Sequence, residues 1–218
     1  MAVQQGCIYL LDISVSSKDL NVPLVEAIDS VINDNKRVKL LLAVKVVAEA
    51  RFLFVIRAKS TSDPDALAHR LSHNITVDYN ISCTALRPYE SFAKNLLGVD
   101  DALCGQAPYK LSPGGHLYML NFEVEYKGMS QDILMRNWKE EAQFALTTRQ
   151  QGTELELFKA MGERKIVAFI NVNTPEQLDD IAWNLPIMKS IGDQVHILCK
   201  SVRLYSDYLQ DLQSNFAE

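Results

Sequence analysis

Few side chains in this sequence have a type and spacing that could do chemistry, and most of them fall in its second half. The stretch EEAQFALTTRQQG, residues 140–152, opens with two adjacent carboxylates. In a helix, Trp138, Glu141, Ala145 and Thr148 share one side through steps of three and four residues. A Trp138 that is at least half buried then sets Glu141 at a boundary facing a sheet. The alternative is that Glu140 and Glu141 form a solvated face. Carboxyl groups held at such boundaries are suited to general acid–base work, because burial moves their pKa toward neutrality.

The strand GHLYMLNFEV alternates. Tyr118, Leu120, Phe122 and Val124 share one face, and Met119, Asn121, Glu123 and Glu125 the other. Polar groups facing a protein interior are costly unless paired or functional. Asn121 and Glu123 are therefore candidates for substrate binding, or else for an interface between halves. His196 lies inside another strand and is a candidate proton carrier, against the reading of a satisfied core histidine. Trp183 and Met188 flank Leu185-Pro186 and read as core or as the apolar wall of a small-ligand site.

Other chemistries lack their residues. His69, His73 and His116 form no ligand-spaced set, so no metal site is expected. There is no P-loop, no GxGxxG and no GxSxG, and SPGGH at 112–116 reads as a turn ahead of a strand. Cys7, Cys83, Cys104 and Cys199 show no CxxC spacing. They are expected to be reduced and mostly buried thiols in a cytoplasmic protein. The formal charge is −5, with basic residues scattered, so nucleic acid is not an expected partner. The longest apolar run, residues 40–50, is interrupted by Lys45 and Glu49 and is too short for a membrane span. MAVQQGC has no signal-peptide pattern.

The elements that must position these residues come in two sets. GCIYLLDISV at 6–15 returns as GHLYMLNFEV at 115–124. ISCTALRPYESFAKNL at 81–96 returns as ILCKSVRLYSDYLQDL at 197–212, with Cys83 on Cys199, Arg87 on Arg203 and Tyr89 on Tyr205. RFLFVIRAKSTSDPDAL from Arg51 parallels RKIVAFINVNTPEQL from Arg164, which suggests a structural role for both arginines. Each half reads strand, helix, strand, strand, helix, strand: 7–15 or 117–126, 22–33 or 130–151, 39–47 or 154–161, 52–59 or 165–172, 64–72 or 175–184, and 76–86 or 194–204. That is the ferredoxin-like β-α-β-β-α-β order. Asp63-Pro64 and Thr174-Pro175 each set a capping side chain before a helix-starting proline.

The expected fold class is α+β: two tandem ferredoxin-like units forming an intramolecular pseudo-dimeric α+β barrel. The first repeat covers 1–96, a linker 97–113, and the second repeat 114–218. The placement of Tyr89 and Tyr205 just past the last strands predicts that each tail clasps the other half.

The second half resembles muconolactone isomerase, a member of the dimeric α+β barrel superfamily, over residues 117–204. NFEVEYKGM (121–129), LFKAMGERKIVAFINVNTPEQL (157–178) and NLPIMKSIGDQVHI (184–197) carry the resemblance. The first half keeps the strands and helices but lacks the Leu-Pro loop, so the pocket is expected in the second. The resemblance implies a proton moved within a small unsaturated lactone, without metal or organic cofactor. It aligns Glu141 with a family glutamate, the leading acid–base candidate, and Lys159 with a family basic residue. The chain departs at Asn121, where the family has a basic residue, and at Glu163, where it has arginine.

The expected function is a cofactor-free isomerase or cyclase acting on a small unsaturated, largely apolar substrate, lactone- or polyketide-like. Glu141 and His196 would be catalytic. Trp138, Asn121, Glu123, Phe144, Lys159, Trp183, Leu185 and Met188 would bind substrate. Homo-oligomers remain open. Two alternatives stand beside it. One is a cofactor-independent monooxygenase of the superfamily, which also holds haem-degrading enzymes; Trp138, Phe144, Phe158, Phe169 and Trp183 would line its pocket. The other is a non-catalytic small-ligand binding or assembly module.

Overall fold

A computed structural model describes residues 6–105, 109–125 and 127–215. The N-terminal residues 1–5, part of the expected linker (106–108) and Tyr126 lie outside them. The class is α+β, with eight strands and seven α-helices among the described residues. The chain divides into two compact units, one of residues up to Leu86 together with those from Val202 onward, the other Arg87–Ser201.

The first unit contains β1 (Cys7–Val15), α1 (Val22–Asn33), β2 (Val38–Val46), β3 (Arg51–Ala58), α2 (Ser62–Asn74) and most of β4 (Tyr79–Pro88). β1 pairs antiparallel with β3 and with β4, and β3 with β2. α1 starts where Asn21 Oδ1 accepts the Leu24 N–H at 2.9 Å. Its apolar stripe of Leu24, Val25, Ile28, Val31 and Ile32 faces the sheet. Phe52, Phe54, Ile56 and Ala58 of β3 complete this core.

The second unit contains α3 (Tyr89–Asn95), β5 (His116–Val124), α4 (Gln131–Gln150), β6 (Glu154–Ala160), β7 (Lys165–Val172), α5 (Pro175–Asn184), α6 (Pro186–Ile191) and most of β8 (Val195–Leu204). β7 pairs antiparallel with β5 and β6. Ser130 and Thr174 cap α4 and α5 through Ile133 N and Gln177 N. The glycine just before the first strand of each unit has a steric reason. A Cβ on Gly6 would stand 2.3 Å from Ala58 O, and one on Gly115, at φ +70°, 2.5 Å from Asn171 Oδ1.

The tails fold as the placement of Tyr89 and Tyr205 predicts, α3 with the second unit and α7 (Tyr205–Asn215) with the first, while other expectations change. Tyr205 is buried among Phe52 and Phe54, and its hydroxyl donates to Val25 O at 3.0 Å. The Leu185-Pro186 stretch is not an open loop but the start of α6. Asp63 does not cap α2, which begins one residue earlier, at Ser62. Its carboxylate instead accepts from Lys59 N and Ser60 N at 3.0 and 2.9 Å. The expected match between the halves also shifts by one residue. Ser14 faces Arg51 and Glu123 faces Lys165, so Arg51 corresponds to Lys165 rather than Arg164. Cys7, Cys83 and Cys199 are exposed, not buried, because β1, β4 and β8 turn them away from the core.

Candidate active site

Two neighbouring cavities open in the second unit, on the side of its sheet covered by α4. The inner one is small, about 40 Å³, and almost wholly apolar. Phe122 and Val124 of β5, Leu157 of β6 and Ile166 of β7 form its floor. Trp138, Glu141 and Ala145 descend from α4 at the predicted 3- and 4-residue steps. Tyr89 and Phe92 enter from α3. The outer one is a cleft of about 530 Å³, and Phe92 and Trp138 line both. These two rings meet edge to face at 5.3 Å and form the wall between the spaces.

Glu141 is the inner cavity's one carboxyl. Desolvation by the apolar walls pushes its pKa up to about 7. The Ile187 N–H, donating to Oε2 at 3.1 Å, opposes that shift and fixes the carboxyl's direction. The Leu-Pro stretch thus matters for a reason its apolar character did not announce. Pro186 starts α6, and α6 brings a backbone donor to Glu141. Tyr89 is fully enclosed, and burial followed by the nearby Glu141 and Glu90 carboxylates raises its pKa, so its hydroxyl keeps its proton.

Lys159 is buried at 8% exposure and lines the outer cleft. Its Nζ donates to Ala160 O at 2.6 Å and to Glu163 O, and lies 5.6 Å from the ring centroids of both Phe92 and Trp138.

The remaining candidates do not converge here. Asn121 and Glu123 lie on the opposite face of β5 from Phe122 and Val124, because a strand alternates; Glu123 is exposed and pairs with Lys165 at 3.4 Å. His196 is exposed, with Nε2 3.0 Å from Glu125 Oε1, away from the cavity. Trp183 is 69% exposed and is no pocket wall. Leu185 is buried and Met188 and Phe144 pack against the same core, yet none of the three lines either cavity. Of the five aromatics expected to line an oxygenase pocket, Phe158 and Phe169 are fully buried against each other, and only Trp138 lines either of these two cavities.

Sequence reasoning missed Tyr89, Phe92 and Arg87 as cavity residues, since the pocket was expected from residues after 114 alone. It also missed Glu156, which is 0% exposed on the other face of β6. Desolvation pushes Glu156 up to about 7 against a hydrogen bond from Lys110 N at 3.1 Å. Its Oε2 has no hydrogen-bond partner among the described residues.

Residues 116–202 match the family model of muconolactone delta-isomerase. No curated protein matches the chain. Among solved structures, a mutant chlorite dismutase from Candidatus Nitrospira defluvii covers 96% of this chain and 97% of its own at TM-score 0.60 and 12% identity. The same enzyme in complex with imidazole gives 0.58 over 96% of each chain at 12% identity. A protein provisionally described as a monooxygenase, from Lactobacillus acidophilus NCFM, gives 0.51 over 92% and 94% at 12% identity. At these identities the likeness shows the fold, the dimeric α+β barrel class of two ferredoxin-like units. The superfamily that the second half resembles also holds haem proteins. Neither cavity offers a histidine or cysteine in its lining, and the inner one is far too small for a macrocycle.

Proposed function

We propose that the second unit is a cofactor-free isomerase or cyclase that moves a proton within a small unsaturated, largely apolar substrate of the lactone or polyketide kind. One observation carries this reading: a carboxyl brought to about 7 by burial lines an apolar cavity between α4 and the sheet. Such a group is part ionised and part protonated at neutral pH, so it can take a proton and give it back. The family match over residues 116–202 supports the same chemistry.

The step follows from the residues present. Ionised Glu141 accepts a proton from the carbon next to a carbonyl or its vinylogue. The C–H bonding pair moves into the conjugated system and charge develops on the carbonyl oxygen. The Tyr89 hydroxyl, kept neutral by burial, donates a hydrogen bond to that oxygen. Glu141, now the acid, returns the proton to the distal carbon, and the double bond has shifted with no net change in charge. The Ile187 N–H holds the carboxyl on line throughout. A raised acid lining an apolar cavity favours this reading over that of a binding module.

The test is deuterium exchange. Wild-type protein in D2O is incubated with a panel of α,β- and β,γ-unsaturated γ-lactones and followed by proton NMR. Exchange and double-bond migration are expected in at least one lactone, with a rate rising toward alkaline pH and half-maximal near pH 7. Glu141→Gln should lower that rate by ~10²–10⁴-fold with an unchanged circular dichroism spectrum. A Glu141→Gln protein that exchanges as fast as the wild type sinks the assignment.

A further inference from the structure

The outer cleft has a charge that the chain as a whole does not. The formal charge of the protein is −5. Yet the cleft, otherwise walled by apolar side chains, is lined by three cations, Arg87, Lys159 and Arg164, against one carboxylate, Glu163. Gln131, the first residue of the 20-residue helix α4, also lines it, so the positive end of that helix lies at the same place. Lys159 is held by two backbone carbonyls and two aromatic faces, an expensive setting for a buried ammonium. Burial, together with Arg87, works against its charge. A bound anion would offset both effects.

The source of these residues adds a second point. Arg87 lies outside the matched residues 116–202, in the segment that brings Tyr89 and Phe92. Its guanidinium is anchored by Nε to Ser91 Oγ at 3.2 Å and by one terminal nitrogen to Ser91 O at 2.7 Å, which fixes the fork.

We propose that the outer cleft seats the carboxylate head of an amphipathic ligand, with Arg87 selecting the charged form and the Phe92–Trp138 pair forming the wall that its apolar end must pass to reach Glu141. The second half of that statement rests on the proton-transfer reading; the first half does not. The volumes agree with a divided site, since about 530 Å³ outside takes a body of many carbons, whereas about 40 Å³ inside takes only its tip.

The experiment uses the full chain carrying Trp183→Phe, which leaves Trp138 as its single tryptophan. Trp138 emission is titrated with octanoate and with octanamide, which share an apolar chain and differ in charge. Octanoate should bind at least ~10-fold tighter, and the advantage should shrink as NaCl is raised. Arg87→Met should abolish the preference while leaving octanamide affinity unchanged, and Arg87→Lys should restore part of it. Equal binding of the two ligands, no response to either, or a preference that survives Arg87→Met overturns the proposal. Glu141→Gln should keep the octanoate preference. A protein with that preference but no lactone exchange would lose the proton-transfer reading and keep the carboxylate seat.

Discussion

The two units put the same elements to opposite ends. In the first, β3 offers Phe52 and Phe54 to the helix side of the sheet, both fully buried. At the matching register of the second, β7 offers Ile166 and Ala168. On α1, Val25, Ile28 and Ile32 repeat the 3- and 4-residue steps of Trp138, Glu141 and Ala145 on α4, but all three are apolar and buried. The tyrosine after each last strand differs too. Tyr205 spends its hydroxyl on Val25 O, while Tyr89 lines a cavity near Glu141. One core is filled and its polar groups are closed off. The other has no rings at these positions, a carboxyl on its helix, and a space beside it. Burying a phenylalanine stabilises by ~1.5–3 kcal/mol, so the second unit gives up core stability where the cavity lies.

That contrast can be broken most sharply by filling the space. Ile166→Phe restores the residue that the first unit has at this register. It should cut lactone exchange by at least ~100-fold, with a melting temperature equal to or above that of the wild type, measured by calorimetry. A variant that is both folded and fully active would show that the cavity is not where chemistry happens.

A smaller effect concerns pH. Glu141 and Glu156 are both raised from 4.5 to about 7 in the folded protein. The unfolded chain therefore releases these protons first, and stability falls as pH rises from about 4.5 to about 7. For Glu156 the loss is roughly 2–3 kcal/mol. Urea unfolding of Glu156→Gln should show a gain over wild type at pH 8 and little difference at pH 4. Equal gains at both pH values would mean that the effect is packing rather than ionisation.

The smallest effect separates the two tyrosines. Tyr205→Phe should cost ~1 kcal/mol of stability with exchange unchanged, because it leaves Val25 O short of a donor. Tyr89→Phe should leave unfolding nearly unchanged and lower exchange ~10-fold or more. If both behaved alike, the division of labour between the units would fail.

Strands and helices were legible in the sequence because each carries its own period: two along GHLYMLNFEV, three and four along 131–150. The 3- and 4-residue spacing also put Glu141 beside Trp138 in space. The rest of the site depends on facts that period does not hold. Whether the polar or the apolar face of β5 meets α4 is decided by packing, and it is the apolar one, which removes Asn121 and Glu123. Trp183 looked like core by residue type, yet the short α5 leaves it exposed. Arg87, Tyr89 and Phe92 sit far from Glu141 in sequence, and nothing local to them signals a cavity.

The exchange of tails has a consequence for synthesis. The second unit is one unbroken stretch, Arg87–Ser201, but the first needs both its opening residues and those after Val202, including Tyr205. A chain leaving the ribosome can close its second unit while the earlier-made first one still waits for α7. Until then the aromatic side chains of β3 stay uncovered, and this protein should be most prone to aggregation in the interval before α7 emerges.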